Sequence, residues 1–212
     1  MKLSSDSFPN RQPIPPRFAF GRIGAGSDPI ALSDNRNPHL AWDEVPAATR
    51  SFALLCIDPD VPTEPDTVNR SDRTIPRDQP RAEFCHWVMV DLPARCRELA
   101  EGACADGVVA RGKPEPAGPA GSRQGSNDYT GWFAQDPDMQ GDYRGYDGPC
   151  PPFNDERMHR YFFRLFALDL ERLPVGERFT GPDALRAMQG HVLAEAAIHG
   201  VYSLNPAVAK GG

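Results

Sequence analysis

The sequence predicts a mainly β protein, a two-sheet sandwich carrying a few short peripheral helices. Three runs of strand length are dense in apolar, aromatic and β-branched residues: residues 50–57 ("RSFALLCI"), 84–90 ("FCHWVMV") and 160–168 ("RYFFRLFAL"). The 19 glycines and 23 prolines among 212 residues cut the chain into short elements, yet stay below the level that marks disorder. No period of 20 to 50 residues recurs, which excludes solenoids and propellers.

Each element follows from local pattern. The run 50–57 is apolar on both faces and of strand length, and "DPDVP" after it is expected to turn the chain, so it reads as a buried central strand. In 84–90 a period of two places Phe84, His86, Val88 and Val90 on one face and Cys85, Trp87 and Met89 on the other. The run 160–168 repeats the pattern, interrupted only by Arg164. Helical signal lies in residues 182–198 ("PDALRAMQGHVLAEAAI"), where Pro182 and Asp183 suit a first turn and Leu185, Met188 and Val192 recur at helical spacing. This predicts a carboxy-terminal helix, broken near Gly190 and followed by a closing strand in "IHGVYSL". A short helical turn is expected after Pro93, and residues 63–83 and 113–147 read as loops, the first a candidate flap.

Length fits one domain over residues 1–212. The net charge of −6, from 29 acids against 23 scattered bases, argues against nucleic acid and anionic membrane surfaces as partners. Residues 1–18 lack the apolar core of a secretory leader and no run reaches a transmembrane length, so the expected location is cytoplasmic. Cys56, Cys85, Cys96, Cys104 and Cys150 are an odd set without CxxC spacing and read as free thiols. No cofactor motif is present.

Titratable residues gather at the ends of the predicted strands: Asp58 and Asp60 after the first, His86 within the second, His159 at the entrance to the third. Strand ends of a sandwich meet in space, so these groups are candidates for one pocket in which imidazolium and carboxylate hold an anion. The plainer readings are a satisfied core histidine for His86 and a structural turn for "DPDVP". The passage "YDGPCPPFNDERMHRYFF", residues 146–163, is stiffened by prolines and leads directly into His159, as a fixed pocket wall would.

Taken in order, "LLCIDPDVPT", "HWVMVDLPA", "GYDGPCPP" and "HRYFFRLFALD" resemble the phosphatidylethanolamine-binding protein family, also known as Raf kinase inhibitor-like proteins, in its bacterial branch. "NPHLAW" and "GHVLAEAAIHGVYSL" support the resemblance, which covers about residues 15–204. It implies a β-sandwich with a small pocket for phosphate, acetate or phosphoethanolamine head groups. Asp58, Asp60 and Pro62 match the family's DPDxP motif, His86 its pocket histidine, and His159, Arg160 and Tyr161 its HRY motif. Gly148, Cys150 and Pro151 fall in the turn that faces them, where backbone groups are expected to meet the anion. Arg160, pointing the other way, is expected to brace a carboxylate. The resemblance also implies regulation of a protein kinase or protease, and a homodimer.

The chain departs from the family pattern at Val61, usually alanine, and in "FNDERM", where relatives carry glycines and Asn154 is the residue suited to a left-handed turn. Two other functions stay open. One is a hydrolase with Cys150 or water as nucleophile and His159 or His86 as base beside Asp58. The other is divalent-metal binding by Asp58, Asp60, His86 and His159, or by the loop acids Asp128, Asp136, Asp138, Asp142 and Asp147, which read better as solvated surface.

Overall fold

A computed structural model describes residues 1–209. In chain order the strands are β1 (Lys2–Ser4), β2 (Gly21–Ile23), β3 (Ile30–Leu32), β4 (Leu40–Asp43), β5 (Ser51–Pro62), β6 (Arg81–Pro93), β7 (Glu98–Leu99), β8 (Arg123–Gln124), β9 (His159–Leu168) and β10 (Val192–Tyr202). The helices are α1 (Tyr129–Trp132), α2 (Gly181–Ala187) and α3 (Pro206–Ala209). The three apolar runs become β5, β6 and β9, the centre of a five-stranded antiparallel sheet ordered β10-β9-β5-β6-β8. A three-stranded sheet, β1-β4-β7, makes the second layer, and β2 and β3 form a separate hairpin.

Alternation along β5 sorts the core. Phe52, Leu54 and Cys56 face the small sheet and pack with Leu40, Trp42, Trp87 and Phe163. Ala53, Leu55 and Ile57 face the opposite way, where Ala184 and Met188, with Leu173 and Phe179, close the second layer of core. Both faces of the central sheet are therefore covered, which is why its strands read as continuous apolar runs.

Four expectations are corrected. First, "DPDVP" does not end the strand: β5 continues to Pro62, with a register shift between Asp58 and Val61 that accommodates a proline inside a strand. Second, strict alternation fails in β6. Cys56 pairs with Trp87 and Ile57 with Cys85, so His86 is the extra residue of a bulge. Cys85 joins Val88 and Val90 in one core layer, while the His86 ring lies beside Tyr161 on the other side. Third, residues 192–198 are strand: α2 stops at Ala187, Gly190 turns at φ 81°, and pairing with β9 outweighs the helical preference of the alanine-rich segment. Fourth, β6 runs to Pro93 and a tight turn follows, closed by the Cys96 amide on the Pro93 carbonyl, in place of a helical turn.

The flap expected over residues 63–83 ends at residue 80, where β6 begins, and it is tied down by Asn154. No residue between Pro152 and His159 has positive φ, so Asn154 is not a left-handed turn. Its side-chain amide donates to the carbonyls of Thr67 (2.9 Å) and Arg73 (3.0 Å), and its oxygen accepts the Asn69 amide (3.0 Å). Buried Ile75 adds backbone bonds to Asn154 and Glu156. Asn154→Ala removes three bonds to one short segment and is expected to cost about 1–3 kcal/mol. Hydrogen exchange should then rise selectively at residues 67–75; unchanged protection there would show that the flap is held by something else.

Candidate functional site

At one end of the sandwich the ends of β5, β6 and β9 enclose a cavity of about 310 Å³ with the β2–β3 hairpin, α1, the flap and the turn at residues 148–152. Asp58, Pro62, His86, Cys150, Pro151, His159 and Tyr161 all line it. Asp60 and Gly148 do not. Asp60 is buried behind the wall, where Arg160 binds it through Nε (2.8 Å) and Nη2 (2.9 Å) and Arg157 through Nη1 (3.1 Å). Burial works against the Asp60 carboxylate, yet the Arg160 contacts hold its pKa below the ordinary value. Arg160 thus braces a carboxylate. Gly148 packs where a Cβ would stand 2.1 Å from the Phe18 carbonyl oxygen; its amide donates to Asn35 and its carbonyl accepts the Tyr129 hydroxyl.

The two histidines differ in what their ring nitrogens can do. His159 is bound at both: Nδ1 to Asp58 (2.7 Å) and Nε2 to Asp155 (3.0 Å), and Asp155 is in turn bound by Arg81. Burial disfavours a charged ring, but the adjacent Asp58 charge and bonds to both carboxylates outweigh it and raise the His159 pKa to about 9. His159 is therefore an imidazolium whose two donors are spent inside the protein, a correction to the expectation that both histidines serve an anion.

His86 is the opposite case. Its Nδ1–H donates to the Asp147 carbonyl (2.8 Å), and the Asp147 amide returns a bond to the His86 carbonyl (3.0 Å). Nε2 has no protein partner among the described residues. Phe84, Tyr129 and Tyr161 surround the ring. Burial lowers its pKa despite the nearby carboxylates of Asp58, Asp128 and Asp147, so the ring is neutral at pH 7 with Nε2 as a bare acceptor. Asp147 is itself anchored by Lys113 (2.5 Å), Asn35 (2.8 Å) and Asn127 (2.8 Å), which makes it a buried structural node and not the solvated acid expected.

Tyr161 completes the floor. Its hydroxyl is buried beside the Asp58 carboxylate, close enough to interact but without an aligned hydrogen bond, and burial together with that carboxylate keeps it protonated. The turn offers little by way of backbone donors: residues 149, 151 and 152 are prolines, and the Gly148 amide is taken, so Cys150 supplies the single free N–H. Above this floor the walls are apolar, built from Phe20, Phe84, Tyr129 and Phe133, with Val61 among them. Leu32 (60% exposed) and Trp132 (46%) stand at the mouth.

The phosphatidylethanolamine-binding protein family model matches residues 4–203. The chain belongs to this family. The UPF0098 protein YbhB of Escherichia coli is 35% identical over 203 residues, covering 96% of this chain and all of that one. A UPF0098 protein of Aquifex aeolicus is 32% identical, covering 95% and 88%. The crystal structure of E. coli YbcL, described as a new member of the mammalian family, superposes with a TM-score of 0.68 at 26% identity, covering 95% of this chain and 97% of that one.

Within this phosphatidylethanolamine-binding fold the other chemistries find little support. Burial pushes the Cys150 thiol up to about 12, and no histidine nitrogen bonds its sulfur. Among the described residues no three His, Cys, Asp or Glu side chains form a metal-binding group. Asp138 is exposed, as expected of a solvated acid, but Asp128 accepts the Cys85 amide, Asp136 the amides of Asp138 and Met139, and Asp142 pairs with Ser126 and Arg144. Asp155, Arg81 and Lys113 escaped sequence reasoning. Only the placement of Asp155 four residues before His159 offered a signal, and an acid in a turn is too common to read.

His159 also sets a pH limit on stability. Below its ordinary pKa of 6.5 both folded and unfolded chains hold the proton; above that the unfolded chain releases it first, so stability falls as pH rises to about 9. Asp58→Asn should cost about 3–5 kcal/mol by unpairing a buried charge and should move that decline to lower pH. Denaturant titrations from about pH 6 to 10 check both effects; a wild-type stability that rises across this range would contradict the pairing.

Proposed function

We propose that the cavity binds a small phosphate-bearing anion, free or as a head group, and that the protein acts by binding and not by turnover. The observation that carries this reading is the convergence of His86 Nε2, the Tyr161 hydroxyl and Asp58 at the bottom of an otherwise apolar cavity. Unspent polar groups in such a place are costly unless a ligand completes them. The family's name for phosphatidylethanolamine binding agrees with this chemistry. The exposed apolar mouth leaves room for a hydrocarbon or peptide attached to the phosphate.

A binding role is favoured over hydrolysis because the site lacks an activated nucleophile. The Cys150 thiol is held protonated, and His86 is oriented by a carbonyl and not by a carboxylate. Ligand occupancy would then serve to regulate a protein partner, a kinase or a protease, as the family resemblance implies.

Inorganic phosphate should shift the His86 ring resonances in NMR spectra, and His86→Ala should abolish the response while leaving the far-ultraviolet circular dichroism unchanged. Tyr161→Phe removes one bond to a charged ligand, about 1.5–3 kcal/mol, and should weaken binding by about tenfold or more. A His86 resonance that stays fixed at saturating phosphate would sink the proposal.

A further inference from the structure

The buried carboxylates of this chain each hold a cation. Asp58 has His159, Asp60 has Arg160 and Arg157, Asp91 has Arg123, Asp147 has Lys113 and Asp155 has Arg81. Asp128, half-buried at the start of α1, has no such partner among the described residues. Its Oδ2 accepts the Cys85 amide (2.7 Å), and its Oδ1 has no hydrogen-bond donor among the described residues. Burial raises its pKa, with the Cys85 amide acting against the rise. A carboxylate so placed is costly until a cation joins it.

Asp128 stands on an open cleft of about 500 Å³ that Phe84, Ser126, Trp132 and Thr180 help to line. The cleft is distinct from the anion cavity and shares with it only Phe84 and Trp132. Trp42 and Trp87 lie in the core, whereas Trp132 is 46% exposed. An exposed indole and an unspent carboxylate oxygen thus face one space. The arginines bonded at its rim are already taken: Arg144 by Asp142, which also holds Ser126, and Arg186 by Asp183, which also holds Thr180. Exposed Glu83 acts together with Asp128 on the Cys85 thiol, so the negative charge on this side is not a single group.

We infer that this cleft docks an arginine side chain presented by a partner protein, its guanidinium lying against Trp132 and donating to Asp128 Oδ1. The inference goes beyond the anion site and does not depend on it. A divalent ion would need several more oxygens than one carboxylate supplies, and no metal-binding group forms here among the described residues. A lysine ammonium is compact and strongly hydrated, so it gains less from an indole than a planar guanidinium does. The long arginine stem also lets the charge reach the cleft while the partner's backbone stays outside it.

Nitrogen-15 NMR of the full chain, titrated with acetylarginine methylamide, tests the inference, with the matching citrulline compound as an uncharged isostere. The arginine compound should shift the Trp132 indole N–H and the Thr130 and Gly131 amides. The citrulline compound should bind at least about tenfold more weakly. Asp128→Asn keeps an oxygen for the Cys85 amide but removes the charge; it should weaken arginine binding at least about tenfold with the circular dichroism unchanged. Trp132→Ala, followed at the Thr130 and Gly131 amides, should weaken it by about threefold to fivefold. Equal binding of citrulline, undiminished binding by Asp128→Asn, or shifts confined to His86 and Tyr161 would each overturn the inference. None of these results touches the phosphate response of His86, which stands or falls by its own titration.

Discussion

A buried relay of alternating charges, Arg81–Asp155–His159–Asp58, governs the working end of this protein. It joins the start of β6, the loop before β9, β9 itself and β5, so three strands and a loop are fixed relative to each other by groups that cannot ionise alone in a dry interior. Removing any member strands a neighbour's charge, which makes the arrangement specific even where it adds little net stability. Its effect on function is indirect. By consuming both nitrogens of His159 it takes one histidine out of play as a ligand donor and leaves His86 as the ring that faces the cavity.

How much of this was legible from sequence depends on whether the signal was local. β5, β6 and β9 are buried on both faces, and burial on both faces writes itself as an unbroken apolar run. The convergence of Asp58, His86 and His159 could be anticipated because strand ends of a sandwich meet, whereas Tyr161 was marked only by the HRY resemblance and Asp60, expected with them, lies behind the wall. The bulge at His86 could not, since it depends on how Cys56 and Ile57 are paired across the ladder. The same limit applied to residues 192–198, where an alanine-rich segment with helical spacing becomes strand because β9 offers it a ladder. Asn154 was marked locally only for a left-handed turn it does not make, and Asp155 only by its spacing from His159; their roles exist once the flap and Arg81 are brought beside them.

The proline-rich turn has a purpose different from presenting a row of amides. Gly148 allows the wall to lie against the Phe18 carbonyl, and the Pro149 carbonyl accepts the amides of Phe20 and Gly21, which binds the wall to the β2–β3 hairpin. With prolines at 149, 151 and 152 the turn is stiff and poor in donors, so selectivity falls to the side chains of the floor. Rigidity of the wall keeps those few groups in register without the entropy of ordering them on binding.

The division of labour between the two histidines is most directly tested by a nitrogen-15 NMR titration of both rings in the ligand-free protein. His159 should show two protonated nitrogens at neutral pH and lose a proton only near pH 9, while His86 stays neutral with its proton on Nδ1. The reverse order, with His86 charged at neutral pH and His159 not, would contradict the electrostatic basis of the site.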